Sequence, residues 1–83
     1  MIGIGGISMS GIAEILHNWG IFVTGSDSTR SKITDRLASH GIFVSIGHET
    51  NLVKKADLVV YTAAVKENDP ELIEARNNNI KTI

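Results

Sequence analysis

The stretch "MIGIGGISMSG" (residues 1–11) holds four of the chain's eight glycines directly after two hydrophobic residues. Glycine gives up more backbone freedom on folding than any other residue, so a cluster marks a sharp turn or a close approach to something else. Met1 to Ile4 reads as a short strand. From Met9 the apolar residues Met9, Ile12, Ala13, Leu16 and Trp19 recur at helical spacing, and Gly20 supplies the stop. The glycines therefore occupy a strand-to-helix turn, and that placement decides how the rest of the chain is read.

Strands and helices alternate from there on. "IFVTG" (21–25) is β-branched and aromatic and predicts a second strand, followed by the polar loop "SDSTRS" (26–31). Ile33, Leu37 and Ala38 mark a second helix, with Ser31 as N-cap and Gly41 just past its end. "IFVSI" (42–46) is a third strand, and "GHETN" leads to a short helix, Leu52 to Lys55, capped by Asn51 or Thr50. "DLVVYTA" (57–63) is the most apolar strand, as a strand covered on both faces should be. Asp69-Pro70-Glu71 opens a helix to about Arg76: a capping carboxylate, a proline at the first helical position, then an acid at the positive end. Ile80 to Ile83 starts a fifth strand.

Alternation with short turns implies parallel strands joined by right-handed crossovers. The expected fold is α/β: a Rossmann-like parallel sheet of about five strands, ordered 3-2-1-4-5 in chain order, with helices on both faces. Residues 1–83 form one domain. In such sheets a ligand binds beyond the carboxyl ends of the strands, where the strand order reverses, and the glycines lie there.

Composition narrows the chemistry. A net charge of −1 and no basic run longer than Lys54-Lys55 argue against nucleic acid or an anionic membrane as partner. The chain has no cysteine, which removes disulfides, thiolate metal sites and cysteine nucleophiles. No apolar stretch approaches the roughly 18 residues of a membrane span, and no basic-then-apolar leader opens the chain, so a cytoplasmic location is expected. The three histidines, His17, His40 and His48, lack metal-ligand spacing, and no catalytic constellation or ATP-binding phosphate loop is present.

What remains is an anion site. Gly5 and Gly6, with Ile7, Ser8, Met9 and Ser10, offer a close backbone approach and the first amides of a helix to a pyrophosphate. In the dinucleotide pattern G-x-G-x-x-G the third glycine is replaced by Ser8, which argues for a variant of that site. Asp27 lies about 20 residues past the loop, where a ribose-binding acid belongs, beside Ser26; the other reading of Asp27 is an Asx-turn. His48 and the small residues Thr62, Ala63 and Ala64 follow the third and fourth strands and face the same rim. His17, His40 and Arg30 read as structural or solvated. One alternative is a nicotinamide-binding Rossmann module of a dehydrogenase or sensor, which Ser8 counts against. Another is an interaction module with no nucleotide.

Taken in order, "IGIGGISMSGIAEIL", "VTGSD", "GH" before a helix, "ADLVVYTAAV" and "NDPEL" resemble the N-terminal domain of the Mur ligase family across essentially the whole chain. Ser8 departs from the glycine usual there. The resemblance implies a domain that binds the UDP part of UDP-N-acetylmuramate, with L-alanine the expected amino acid. Ligation of a whole peptide to the same nucleotide sugar is the nearby alternative. It implies that ATP and Mg²⁺ are bound by a central domain and the amino acid by a C-terminal one. No cofactor belongs to residues 1–83 themselves. By motif, Gly5 to Ser10 hold the pyrophosphate, Ser26 and Asp27 face the uridine, and His48 with Thr62 to Ala64 border nucleotide and sugar. The reaction implied passes through an acyl phosphate to an amide, and residues 1–83 alone catalyse nothing.

Overall fold

Ile2 and Ile4 are both buried, yet they enter different hydrophobic clusters. In a regular strand residues two apart share a face. Gly3, between them, has φ +78° in the computed structural model, which describes residues 1–83. That left-handed turn, open to glycine and costly for other residues, throws Ile4 to the opposite side.

Ile2 joins Val53, Val59, Leu72 and Ala75. Ile4 joins Ala13, Val23, Leu37 and Ile42. The helices sort the same way. α1 (Ile7–Asn18) and α2 (Lys32–Ser39) enclose the second cluster, while α3 (Thr50–Lys54) and α4 (Pro70–Asn77) enclose the first.

The strands are short. β1 (Thr24–Asp27) pairs in parallel with β2 (Phe43–Ile46), Thr24 opposite Phe43 and Asp27 opposite Ile46. β3 (Leu58–Val59) pairs in parallel with β4 (Lys81–Thr82). The N-terminal segment lies between these two-stranded sheets. Ile2 bridges Ser26 on one side, and its N–H donates to the Val60 carbonyl on the other at 2.9 Å. Of the expected five-stranded sheet the structure forms two small parallel sheets with the N-terminal segment bonded to both, and the turn at Gly3 ends the central ladder after one bridge. The predicted strands 21–25 and 57–63 are corrected to Thr24–Asp27 and Leu58–Val59.

The helix ends follow local chemistry. Ser31 caps α2 with a capping box: its hydroxyl accepts from the Thr34 N–H, and the Thr34 hydroxyl accepts from the Ser31 N–H at 2.8 Å. Asp69 Oδ1 caps α4, accepting from Glu71 and Leu72 N–H at 2.8 and 3.2 Å. α3 is capped by Glu49, not by Asn51 or Thr50. α1 starts at Ile7 rather than Met9. Its apolar stripe is only partly inward: Met9 and Ala13 are buried, whereas Ile12 and Trp19 are 45% and 73% exposed. No helix is long and apolar enough to cross a membrane.

Candidate functional site

The carboxyl ends of β1, β2 and β3 and the amino ends of α1 and α4 converge on one open cleft of about 840 Å³. Gly6, Ile7, Ser8, Met9, Ser26, Asp27, His48, Thr62 and Ala64 all line it, so most of the residues singled out by sequence are brought together. Gly5, Ser10 and Ala63 are not on its wall.

Two of those exceptions have reasons. Gly5 is pinned from behind, its N–H donating to Asp27 Oδ2 at 2.9 Å. A Cβ added to Gly5 would lie 2.7 Å from that oxygen and 2.9 Å from Thr34 Cγ2, so no side chain fits. Ser10 is 2% exposed and its N–H is already bonded to the Gly6 carbonyl at 2.8 Å. The expectation that Ser10 offers a free amide is corrected: the open donors are the N–H groups of Ile7, Ser8 and Met9, which have no protein acceptor. Ser8 is exposed at the rim, whereas Ser10 is buried with its hydroxyl donating to the Ile7 carbonyl at 3.0 Å.

The mouth of α1 is distinctive. Its N-cap, Gly6, makes no side-chain cap, and no acid stands in its first turn. The other three helices are each capped by a side chain. An uncapped N-terminus leaves donors and the positive end of the helix dipole facing the cleft, an arrangement that favours an anion.

Three carboxylates also border the cleft, and each is engaged. Asp27 accepts from Gly5 through Oδ2 and from the Thr29 N–H through Oδ1 at 3.1 Å, so the Asx-turn reading is realised and the same carboxylate also ties the glycine loop to β1. Asp69 caps α4. Glu71, 4% exposed, accepts the Ser26 hydroxyl at 2.6 Å, and its Oε1 lies 3.0 Å from His48 Nδ1. The Ser26 hydroxyl is therefore turned into the protein. Lys66 adds a cation to the rim.

Glu71, Asp69 and Lys66 escaped the sequence reading as site residues. The helix-start signal explained the two acids, and nothing marked the lysine. His48, Asp69 and Glu71 also bring metal-ligating atoms within 4.8 Å of one another, although sequence spacing gave no hint of it.

Arg30 is turned away and pairs with Asp35 at 2.8 Å, both exposed. His17 and His40 line a small separate hollow with Glu14 and Asn18. Beside the start of β1, burial holds the Met1 amino group's pKa below its ordinary value, with the charge of Glu71 pulling the other way.

The chain is thus an α/β domain with an uncapped helix mouth behind a glycine turn. Comparison with known proteins narrows the class. The model of the Mur ligase family, described as its catalytic domain, matches residues 1–83, and the chain belongs to that family.

Among its relatives, the UDP-N-acetylmuramate–L-alanine ligase of Clostridium tetani is 59% identical over 80 residues, covering 96% of this chain and 18% of that enzyme. The crystal structure of a UDP-N-acetylmuramate–alanine ligase from Thermotoga maritima superposes with a TM-score of 0.93 at 33% identity, over 98% of this chain and 19% of that one. A murein peptide ligase from Psychrobacter arcticus follows with a TM-score of 0.87 at 25% identity, over 99% of this chain and 18% of that one. The chain thus spans about a fifth of the length of these relatives.

Proposed function

We propose that residues 1–83 are the nucleotide-sugar-binding N-terminal domain of an ATP-dependent ligase that joins L-alanine to UDP-N-acetylmuramate in peptidoglycan precursor synthesis. The observation that carries this reading is the set of Ile7, Ser8 and Met9 N–H donors without a protein acceptor at the mouth of α1, inside a cleft whose three carboxylates are already engaged by the protein. The diphosphate lies on those donors with Lys66 nearby, and Gly6 lets it approach the backbone. The uridine lies toward Asp27 and His48, and Thr62 and Ala64 leave room for the sugar.

In the whole enzyme, ATP and Mg²⁺ belong to a central domain and L-alanine to a C-terminal one, and the ligase works in the cytoplasm. Residues 1–83 bind without catalysing. There the N-terminal segment is the central strand of a five-stranded sheet ordered 3-2-1-4-5. Its hydrogen bonds to Ser26 and Val60, on opposite sides, support that order. The likeness to the alanine-adding enzymes is stronger than to the peptide-adding one, which supports L-alanine as the amino acid. Family membership speaks against the nicotinamide alternative.

The test is competition between UDP-N-acetylmuramate and NAD⁺, followed in ¹H–¹⁵N spectra of the labelled chain. We expect the nucleotide sugar to shift residues on the cleft wall and excess NAD⁺ to leave them unchanged. Displacement of the sugar by NAD⁺ at comparable concentration would overturn the assignment.

A further inference from the structure

Glu71 is the most deeply buried acid of the cleft, and binding the diphosphate does not require it. It stands at the second position of α4 and lines the cleft. Its Oε1 receives two groups from different parts of the chain: the Ser26 hydroxyl at 2.6 Å, from the end of β1, and His48 Nδ1 at 3.0 Å, from the loop after β2. Asp69 Oδ2 lies 3.8 Å from the same imidazole nitrogen. A carboxylate oxygen is an acceptor, so the ring nitrogen facing it carries the proton. The partner of one ring nitrogen decides the role left to the other. Nε2 of His48 has no partner in the protein, and the side chain is about half exposed on the cleft wall.

We propose that Glu71 is a positioning residue for nucleotide recognition. By holding Nδ1–H of His48, it fixes the ring so that a neutral imidazole presents Nε2 to the cleft as an acceptor. That acceptor reads a hydroxyl or imide N–H of the bound nucleoside, not a phosphate oxygen. The Ser26 bond anchors the same carboxylate to β1, so ring, strand and helix keep one geometry. This inference rests on the nucleotide-binding reading above and adds the device that orients its one cleft histidine.

Two readouts test it on the ¹⁵N-labelled chain. The first needs no ligand: the ring-nitrogen shifts of His48, recorded where the ring is neutral, are expected to show the Nδ1–H tautomer, and Glu71→Gln to weaken that preference. An Nε2–H tautomer in the unsubstituted chain, or no change in Glu71→Gln, overturns the proposal. The second is a double-mutant cycle with UDP as probe. Glu71→Gln and His48→Ala are each expected to weaken binding by up to about tenfold, the scale of one lost hydrogen bond. The double variant should bind no worse than His48→Ala alone, because Glu71 acts through His48. Full additivity means Glu71 acts by another route and contradicts the proposal. Should Glu71→Gln fail to fold, Ser26→Ala loosens the same carboxylate, and a His48 tautomer unchanged in that variant counts equally against it. If UDP fails to bind the unsubstituted chain while the tautomer is as expected, the nucleotide reading falls and Glu71's hold on His48 stands.

Discussion

Two helices open on the same cleft and treat their exposed amides in opposite ways. α4 closes itself. Asp69 accepts two of its first N–H groups, Pro70 removes a third donor, and Glu71 places an acid at the positive end. α1 does none of this: Gly6 offers no side chain, no acid stands in the first turn, and Ile7, Ser8 and Met9 keep free N–H groups. The difference teaches that an uncapped helix in an otherwise well-capped domain keeps donors that the proposed diphosphate would use. One mouth is finished by the protein, and the other keeps its donors.

The largest effect expected on this contrast comes from the root of α4. Leu72 is fully buried in the cluster with Ile2 and Val59, so Leu72→Ala should cost about 2–5 kcal/mol in urea unfolding, by lost transfer energy and the cavity left behind. A loss below about 1 kcal/mol would mean that α4 is not fastened as described.

Exchanging the two caps is the sharper experiment. Asp69→Ala should lower stability by about 0.5–2 kcal/mol. Gly6→Asp should do the reverse at α1. Gly6 has the extended backbone of an N-cap (φ −67°, ψ 154°), and an added Cβ would come no closer than 3.5 Å to the Gly3 carbonyl oxygen. The variant gains a few tenths of a kcal/mol, by about the margin that separates Asp from Gly at such a position. It should also bind UDP at least about tenfold more weakly, because the new carboxylate takes the donors and repels the diphosphate. A variant that is both more stable and equally good at binding would break the comparison.

The smallest effect concerns pH. The Met1 amino group donates to the Thr24 carbonyl at 2.7 Å, and burial lowers its pKa from about 8.0. The unfolded chain then holds the proton more tightly than the folded one, so stability rises with pH between the lowered folded value and the ordinary one. Below that window the penalty is constant. Acetylating the amine should flatten this part of a stability–pH profile, and an unchanged slope would assign it to another group.

What was legible in the sequence was local. Asp69-Pro70-Glu71 and Ser31 were readable as helix starts because a cap and its amides lie within three residues. Gly41 was readable as a helix end because its left-handed backbone (φ +92°) is a property of one residue. The glycine turn, its helix and the cleft beyond the strand ends followed from pattern and topology.

What was not legible needed partners far along the chain. The Ser26–Glu71 bond spans 45 residues, and nothing near either residue announces it. "DLVVYTA" promised a seven-residue strand, but a strand is as long as its neighbour's ladder, and β4 pairs with only Leu58 and Val59. Ile7 hid the start of α1: 85% exposed, it is an apolar residue held at the cleft rim for its backbone and not for the core.

The most direct test of the uncapped mouth compares UDP with uridine, which carries the same base and ribose without the diphosphate. In ¹H–¹⁵N spectra of the labelled chain, UDP should move the amide resonances of Ile7, Ser8 and Met9, and uridine should leave those three in place. Equal movement by both ligands, or shifts gathered around His17 and His40 instead, would contradict the account.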